Sequence, residues 1–377
     1  MNRRATAAAF VTFTTLGVLY ATLGPAIPEI REDFGVGAAV AGLVVSAQFA
    51  GAMTGIVASG VLERRFSTGL RLVTGLALMA GGTLGLVAAP VFWLVVAAMY
   101  VAGLGFGTVD LGFSTLFASG FGARSAAMTN LLHSCFGLGA VTGPFVISVL
   151  GDYGYRLPLA GAALAAAAVI PLARAAPDHR EHVSGGWPSG RARLVVAAFA
   201  LLYLLETGTE ASLGGWAATH LQALGASESR AAAITALFFA ALTAGRLATA
   251  PLTLRVGVER VIVAALSLLL VAVLVTAVDD LAPAAYVAAG LGCAPFFPTA
   301  FVWLVASTPG VRGAPAMVVA ASNVGGVLLP VLVGLMIEGA GADAIPAVLT
   351  ASSAAVLLTA LAMVARMRPH TSVASTA

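Results

Sequence analysis

Charge is what this chain of 377 residues lacks most. Only 9% of its residues are Asp, Glu, Lys or Arg, against about 25% in an ordinary soluble domain. With 60% hydrophobic residues, it cannot cover itself with a water-facing surface of normal polarity. Lysine is missing: all nineteen basic residues are Arg. They form no cluster of the nucleic-acid-binding type, so no nucleic acid is expected as a partner. The two cysteines, Cys135 and Cys293, both lie in apolar segments. No structural disulfide is expected, and they give no compartment signal. No polar stretch is long enough to fold as a soluble domain. A P-loop is absent, which argues against direct ATP drive, and so is metal-ligand spacing such as H-E-x-x-H. No Ser/His/Asp set is visible. Neither a metal nor a cofactor is expected, and an embedded enzyme or a sensor is set aside.

What is present is apolar length. About 20 apolar residues cross a bilayer as a helix, and in lipid only helices and closed barrels satisfy the backbone. Twelve segments are long enough for helices: 5–28, 37–62, 70–89, 91–120, 127–150, 157–174, 194–221, 230–253, 260–278, 282–307, 313–338 and 344–366. The first begins near Ala5, is too long for a signal-peptide core and lacks a small-x-small cleavage site, so it reads as a retained span.

Twelve crossings put both termini on one side, and arginine placement says which. With the N-terminus inside, fifteen arginines lie inside; only Arg31, Arg156 and Arg230 lie outside, and Arg246 lies within a span. The expected location is the cytoplasmic membrane, multi-pass, with both termini cytoplasmic. The longest polar interruption, 175–193, carries Pro, Gly, Ser and charge, as a linker does. It divides the chain into 1–174, a cytoplasmic linker 175–193, and 194–377 with a short cytoplasmic tail. A weak internal repeat supports this division. At an offset of 190, Gly24 meets Gly214, Gly55 meets Gly245 and Arg65 meets Arg255. Near 187, Gly103-Leu-Gly105 meets Gly290-Leu-Gly292. At 186, Gly139, Pro144 and Asp152 meet Gly325, Pro330 and Glu338.

Two six-span halves in parallel repeat resemble the major facilitator superfamily along nearly the whole chain. The resemblance implies an all-α membrane fold of twelve helices in two six-helix halves. It also implies a solute site between the halves near the midplane and alternating access by rocking. The link Gly60–Arg71 is similar to that superfamily's loop between spans two and three. Here Glu63 stands for the usual aspartate and Phe66 for the following glycine.

Ionisable residues inside spans mark functional sites by default. Asp110 shares a face with Gly103, Gly107 and Ser114; on the next span, Asn130, His133 and Gly137 share a face. Asp110 and His133 make a candidate proton relay. Glu206 and Glu210 are four residues apart on one face. Two such carboxylates in a low dielectric do not both ionise cheaply, so one is expected to hold a proton. A buried Arg needs an acidic partner or an anionic ligand, and Glu210 is the partner expected for Arg246. Gln48, Asn130, His133, Trp216, Phe297 and Asn323 are the candidate solute contacts. Trp216 follows Gly214-Gly215, and its flat face suits a sugar ring. Phe297 sits in a broken stretch, Pro295-Phe-Phe-Pro298, and Asn323 begins Asn-Val-Gly325-Gly326.

These features narrow the resemblance. The stretch from His133 to Gly139, Gly208-x-Glu210 with Gly214-Gly215-Trp216, Gly245-Arg246 and Ala294-Pro295-Phe-Phe-Pro298-Thr look like the fucose–galactose–glucose/proton symporter branch. That branch implies inward movement of a sugar or related compound with a proton, by a transporter expected to act as a monomer. The departure is span one, which holds Tyr20 and Gly24 but no buried acid. The alternative is a proton-coupled exporter of drugs or metabolites. The stretch Gly139–Pro144 partly matches the span-five signature of drug/proton antiporters, with Asn130 replacing its upstream glycine and Ile147-Ser148 its closing glycine pair.

Overall fold

A computed structural model describes residues 3–62, 65–121, 125–150, 154–178, 188–308, 311 and 314–367. The regular structure is helical throughout: α1 (Arg3–Phe34), α2 (Ala38–Leu62), α3 (Thr68–Val87), α4 (Phe92–Gly120), α5 (Ser125–Val149), α6 (Arg156–Ala173), α7 (Gly190–Ala223), α8 (Glu228–Val256), α9 (Val258–Val275), α10 (Ala282–Cys293), α11 (Phe296–Ser307), α12 (Ala314–Ala340) and α13 (Ala344–Met367). Eleven of these are long and apolar enough to cross a membrane.

The twelfth crossing is shared by two short helices. Pro295 and Pro298 carry no backbone N–H, so the carbonyls of Leu291 and Ala294 lose their helical partners and the helix breaks there. One bond bridges the gap, from Thr299 N–H to the Pro295 carbonyl at 3.2 Å. Elsewhere the ends are marked locally. Gly225 after α7 and Gly257 after α8 take the left-handed conformation, with φ of 89° and 90°, which only glycine enters freely. Ser67 caps α3 by accepting the Leu70 N–H at 3.3 Å. Asp178 accepts the Thr68 N–H at 2.8 Å, tying the start of the linker to the same helix end. Arg71 donates to the Ser59 carbonyl at 3.1 Å across the loop between α2 and α3. Glu63 and Arg64 of that loop, and linker residues 179–187, lie outside the described residues.

Lipid offers no hydrophobic drive between helices, so close approach through small residues carries the packing. The repeat shows where this happens. A side chain on Gly103 would strike the Gln48 carbonyl of α2, and one on Gly290 the Phe238 carbonyl of α8. Gly105 and Gly292 lie likewise against the backbones of α3 and α9. Gly139 meets Thr14 of α1, and Gly325 meets Leu204 of α7. Each of these three matched pairs of glycines makes the same helix contact in its own half.

Between the halves, α2 packs on α12, α5 on α8 and α1 on α7. Many of the joining contacts gather at the end away from the termini. Gly24 of α1 lies against the Gly214 carbonyl of α7, and these two are themselves repeat mates. Glu338 of α12 accepts the Ala39 N–H of α2 at 3.1 Å. Ser229 of α8 donates to the Ser148 carbonyl of α5. This end of the bundle is sealed.

Candidate functional site

Polar groups from both halves meet along α1, α2, α7 and α8. On α7, Glu206 is 1% exposed, and neither carboxyl oxygen has a hydrogen-bond partner among the described residues. One turn on, Glu210 meets Arg246 of α8, with Nη2 and Oε2 3.6 Å apart. Their side chains are 13% and 27% exposed, and Arg246 Nε has no partner among the described residues. The trio therefore holds two carboxyls, one guanidinium and spare donors and acceptors.

Gln48 of α2 is 3% exposed, and neither atom of its amide has a partner among the described residues. It lines a cavity of about 10 Å³ with Tyr20, Leu23, Gly24, Val45, Ala211, Gly214, Gly215 and Phe239. That is room for roughly one water. Both halves contribute to this wall.

Asp110 is half-buried on α4, where Ser114 donates to it at 3.4 Å. His133 is exposed on α5 and meets the Phe13 ring edge-on at 5.3 Å. Ser114 of its own helix donates to Asp110, and His133 turns towards Phe13 of α1. The Asn130 side chain lies outside the described residues.

The remaining candidates are tied into the scaffold. Trp216 is fully buried, lies against Gly42 of α2 and donates its indole N–H to the Pro330 carbonyl at 3.0 Å. In this conformation it offers no free face to a sugar. The Phe297 ring packs against Tyr203 at 5.3 Å, and its carbonyl accepts the Tyr203 hydroxyl at 2.8 Å. Asn323 donates to the Val319 carbonyl of its own helix at 2.9 Å.

Sequence reasoning gave Tyr20 no role, yet the structure makes it central. Its ring meets Phe49 at 6.0 Å, Phe136 at 5.7 Å and Phe239 at 5.8 Å, residues from three further helices and both halves. A signal was available, because at the repeat offset of 190 Tyr20 is the counterpart of Glu210.

The profile of the Major Facilitator Superfamily matches residues 7–206. A search of curated proteins finds no match. Among solved structures, the fold is similar to a variant of the nucleoside transporter NupG, with a TM-score of 0.76 at 14% identity, covering 96% of this chain and 98% of that one. It is similar to a D-xylose-proton symporter, with a TM-score of 0.76 at 14% identity over 95% and 96% of the two chains. It is also similar to the superfamily transporter FucP in its outward conformation, at 0.65 and 16% over 94% and 97%. A family match over more than half the chain and a common fold over nearly all of it lead to one conclusion: the chain belongs to the Major Facilitator Superfamily, as a multi-pass membrane transporter and not an enzyme.

Proposed function

We propose that this transporter moves a small polar solute, a sugar or related compound, across the cytoplasmic membrane by alternating access coupled to protons. It acts as a monomer with both termini cytoplasmic. Its moving bodies are residues 1–174 and 194–377, joined by the linker 175–193. On that orientation the sealed end faces outward.

One observation carries the reading. Gln48, Glu206 and Arg246 present unpartnered donors and acceptors where the halves meet. Buried polar groups are normally satisfied, and leaving one unmade costs about 1–3 kcal/mol. A solute with several hydroxyls would satisfy them together. The similarity to a D-xylose-proton symporter and to a nucleoside transporter supports solutes of that class.

The same trio supports the proton. With Glu210 set against Arg246, Glu206 is left without a counter-charge, and a bare buried carboxylate is costly. Loading and releasing a proton on this pair lets the charge of the site change with the transport state. Asp110, with the Ser114 hydroxyl beside it, is a second coupling carboxylate, and His133 of α5 is a further candidate proton carrier. The rings of Tyr20, Phe49, Phe136 and Phe239 favour the exporter as the second reading, since they suit a more apolar cargo.

Flux into proteoliposomes tests both, using radiolabelled D-xylose and uridine with and without an imposed pH gradient. Accumulation that follows protons inward is the expected result. Accumulation against an opposed proton flow establishes the exporter. Flux of neither solute under any gradient removes the polar-solute reading.

A further inference from the structure

The cavity lined by Gln48 is closed on two sides by different means. At the height of Gln48, Gly24 lies against the Gly214 carbonyl, backbone to backbone. The rest of the enclosure includes side chains, those of Tyr20 and Phe239. Helix geometry sets their order. At about 1.5 Å per residue, Tyr20 lies about 20 Å from the sealed end of α1, whereas Val45 and Gln48 lie about 10 and 15 Å from the sealed end of α2. Tyr20 thus stands between the cavity and the end that carries the termini.

Its ring is well placed to close that side. Phe49 and Phe239 meet it edge-on, and Phe136 meets it tilted. Phe239 belongs to α8, so the cluster spans the two halves and its Tyr20–Phe239 contact is remade or lost when they rock. Side-chain rotation is faster and smaller than rocking. A solute could therefore be admitted to Gln48 from the end that carries the termini without breaking the Gly24–Gly214 contact.

We propose that Tyr20 is a gating residue: its ring, clasped by Phe49, Phe136 and Phe239, shuts the Gln48 pocket off from the end that carries the termini. A solute reaches Gln48 only when the ring swings aside. The ring does the closing. The functional meaning of the pocket rests on reading Gln48 as a solute contact; the gate itself is measurable without any solute.

The test is thiol labelling in a background with Cys135 and Cys293 replaced by alanine. A reporter, Val45→Cys, is placed in the pocket wall. A small membrane-impermeant thiol reagent is added to membrane vesicles at the face carrying the termini. Labelling of the parent is expected to be slow. Tyr20→Ala should raise the rate at least about tenfold, as expected when several aromatic contacts go at once. Tyr20→Phe keeps the ring and should label as slowly as the parent. Should Tyr20→Ala fold poorly, Phe239→Ala removes the opposite jaw and should also speed labelling. Unchanged rates in folded alanine variants overturn the gate, as does Tyr20→Phe behaving like Tyr20→Ala. Flux through Gln48→Ala is measured separately: normal flux there defeats the solute reading of Gln48 and leaves the labelling result standing.

Discussion

Gly139 lets α5 onto the Thr14 backbone of α1, and 186 residues later Gly325 lets α12 onto the Leu204 backbone of α7. The residues facing the cleft show no such agreement. At the repeat offset of 190, Glu206 and Glu210 correspond to Leu16 and Tyr20, and Arg246 to Ile56. Asp110 corresponds to Phe297 at 187, and His133 to Val319 at 186. One half carries its charges on α7 and α8; the other carries a lone acid on α4, a histidine on α5 and the amide of Gln48. The difference shows which constraint each position obeys. Helix packing in lipid demands small residues at every crossing, so both halves keep them. The solute and the proton need one constellation between the halves, so its members need not occur twice.

The shared packing is the easiest part of this comparison to break. Gly139→Val and Gly325→Val should each abolish recovery of monodisperse protein. Ordinary overpacking costs about 1–3 kcal/mol, and here the obstacle is backbone, which cannot swing away. Gly339→Ala, which meets open space, should leave the melting temperature unchanged. A half that tolerated its valine would show that the two crossings are not equivalent.

The next largest effect concerns the C half alone. Arg246→Ala strands the Glu210 carboxylate, and breaking a buried pair costs up to about 3–5 kcal/mol. The melting temperature should fall, and Arg246→Ala/Glu210→Gln should recover part of the loss. No recovery would mean that Arg246 is held by something other than Glu210.

Proton coupling sharpens the contrast between the halves. A glutamine or asparagine imitates the protonated acid but cannot release a proton. Glu206→Gln should reduce pH-driven accumulation to the level of empty liposomes and retain exchange between equal solute concentrations. Asp110→Asn is the matching test in the N half. If only the Asp110 variant loses accumulation, the coupling site moves to α4.

The smallest expected effect lies at the sealed end, where Glu338 of one half accepts an N–H from the first turn of α2 in the other. A helix cap is worth about 1 kcal/mol, a factor of roughly five in the balance between states. Glu338→Ala should shift spin labels at Leu157→Cys and Ser227→Cys towards longer separations. An unchanged distance distribution would make the cap incidental to closure.

Much of this protein follows from local chemistry and so was legible in the sequence. Hydrocarbon forbids unpaired backbone groups, so twelve apolar stretches had to be helices, whatever their neighbours. Pro295 and Pro298 broke one of them for a reason internal to two residues. Glycine spacing foretold the repeat, because a Cβ at a helix crossing is excluded in both halves alike. The Arg246–Glu210 contact was legible too, since a guanidinium in a span leaves few choices of partner. What the tertiary structure alone decided was the use of each polar or aromatic face. Trp216 had an apolar plane fit for a sugar, but its N–H is taken by the Pro330 carbonyl and its ring is enclosed by α2 and α12. Asp110 and His133 sit on neighbouring spans, and it took the packed structure to set Ser114 beside the one and the Phe13 ring of α1 beside the other. Tyr20 looks like any mid-span aromatic until α2, α5 and α8 bring three phenylalanines around it. Periodicity places a residue on a face of its helix; only the packing of other helices against that face determines whether it meets a partner, a cavity or lipid.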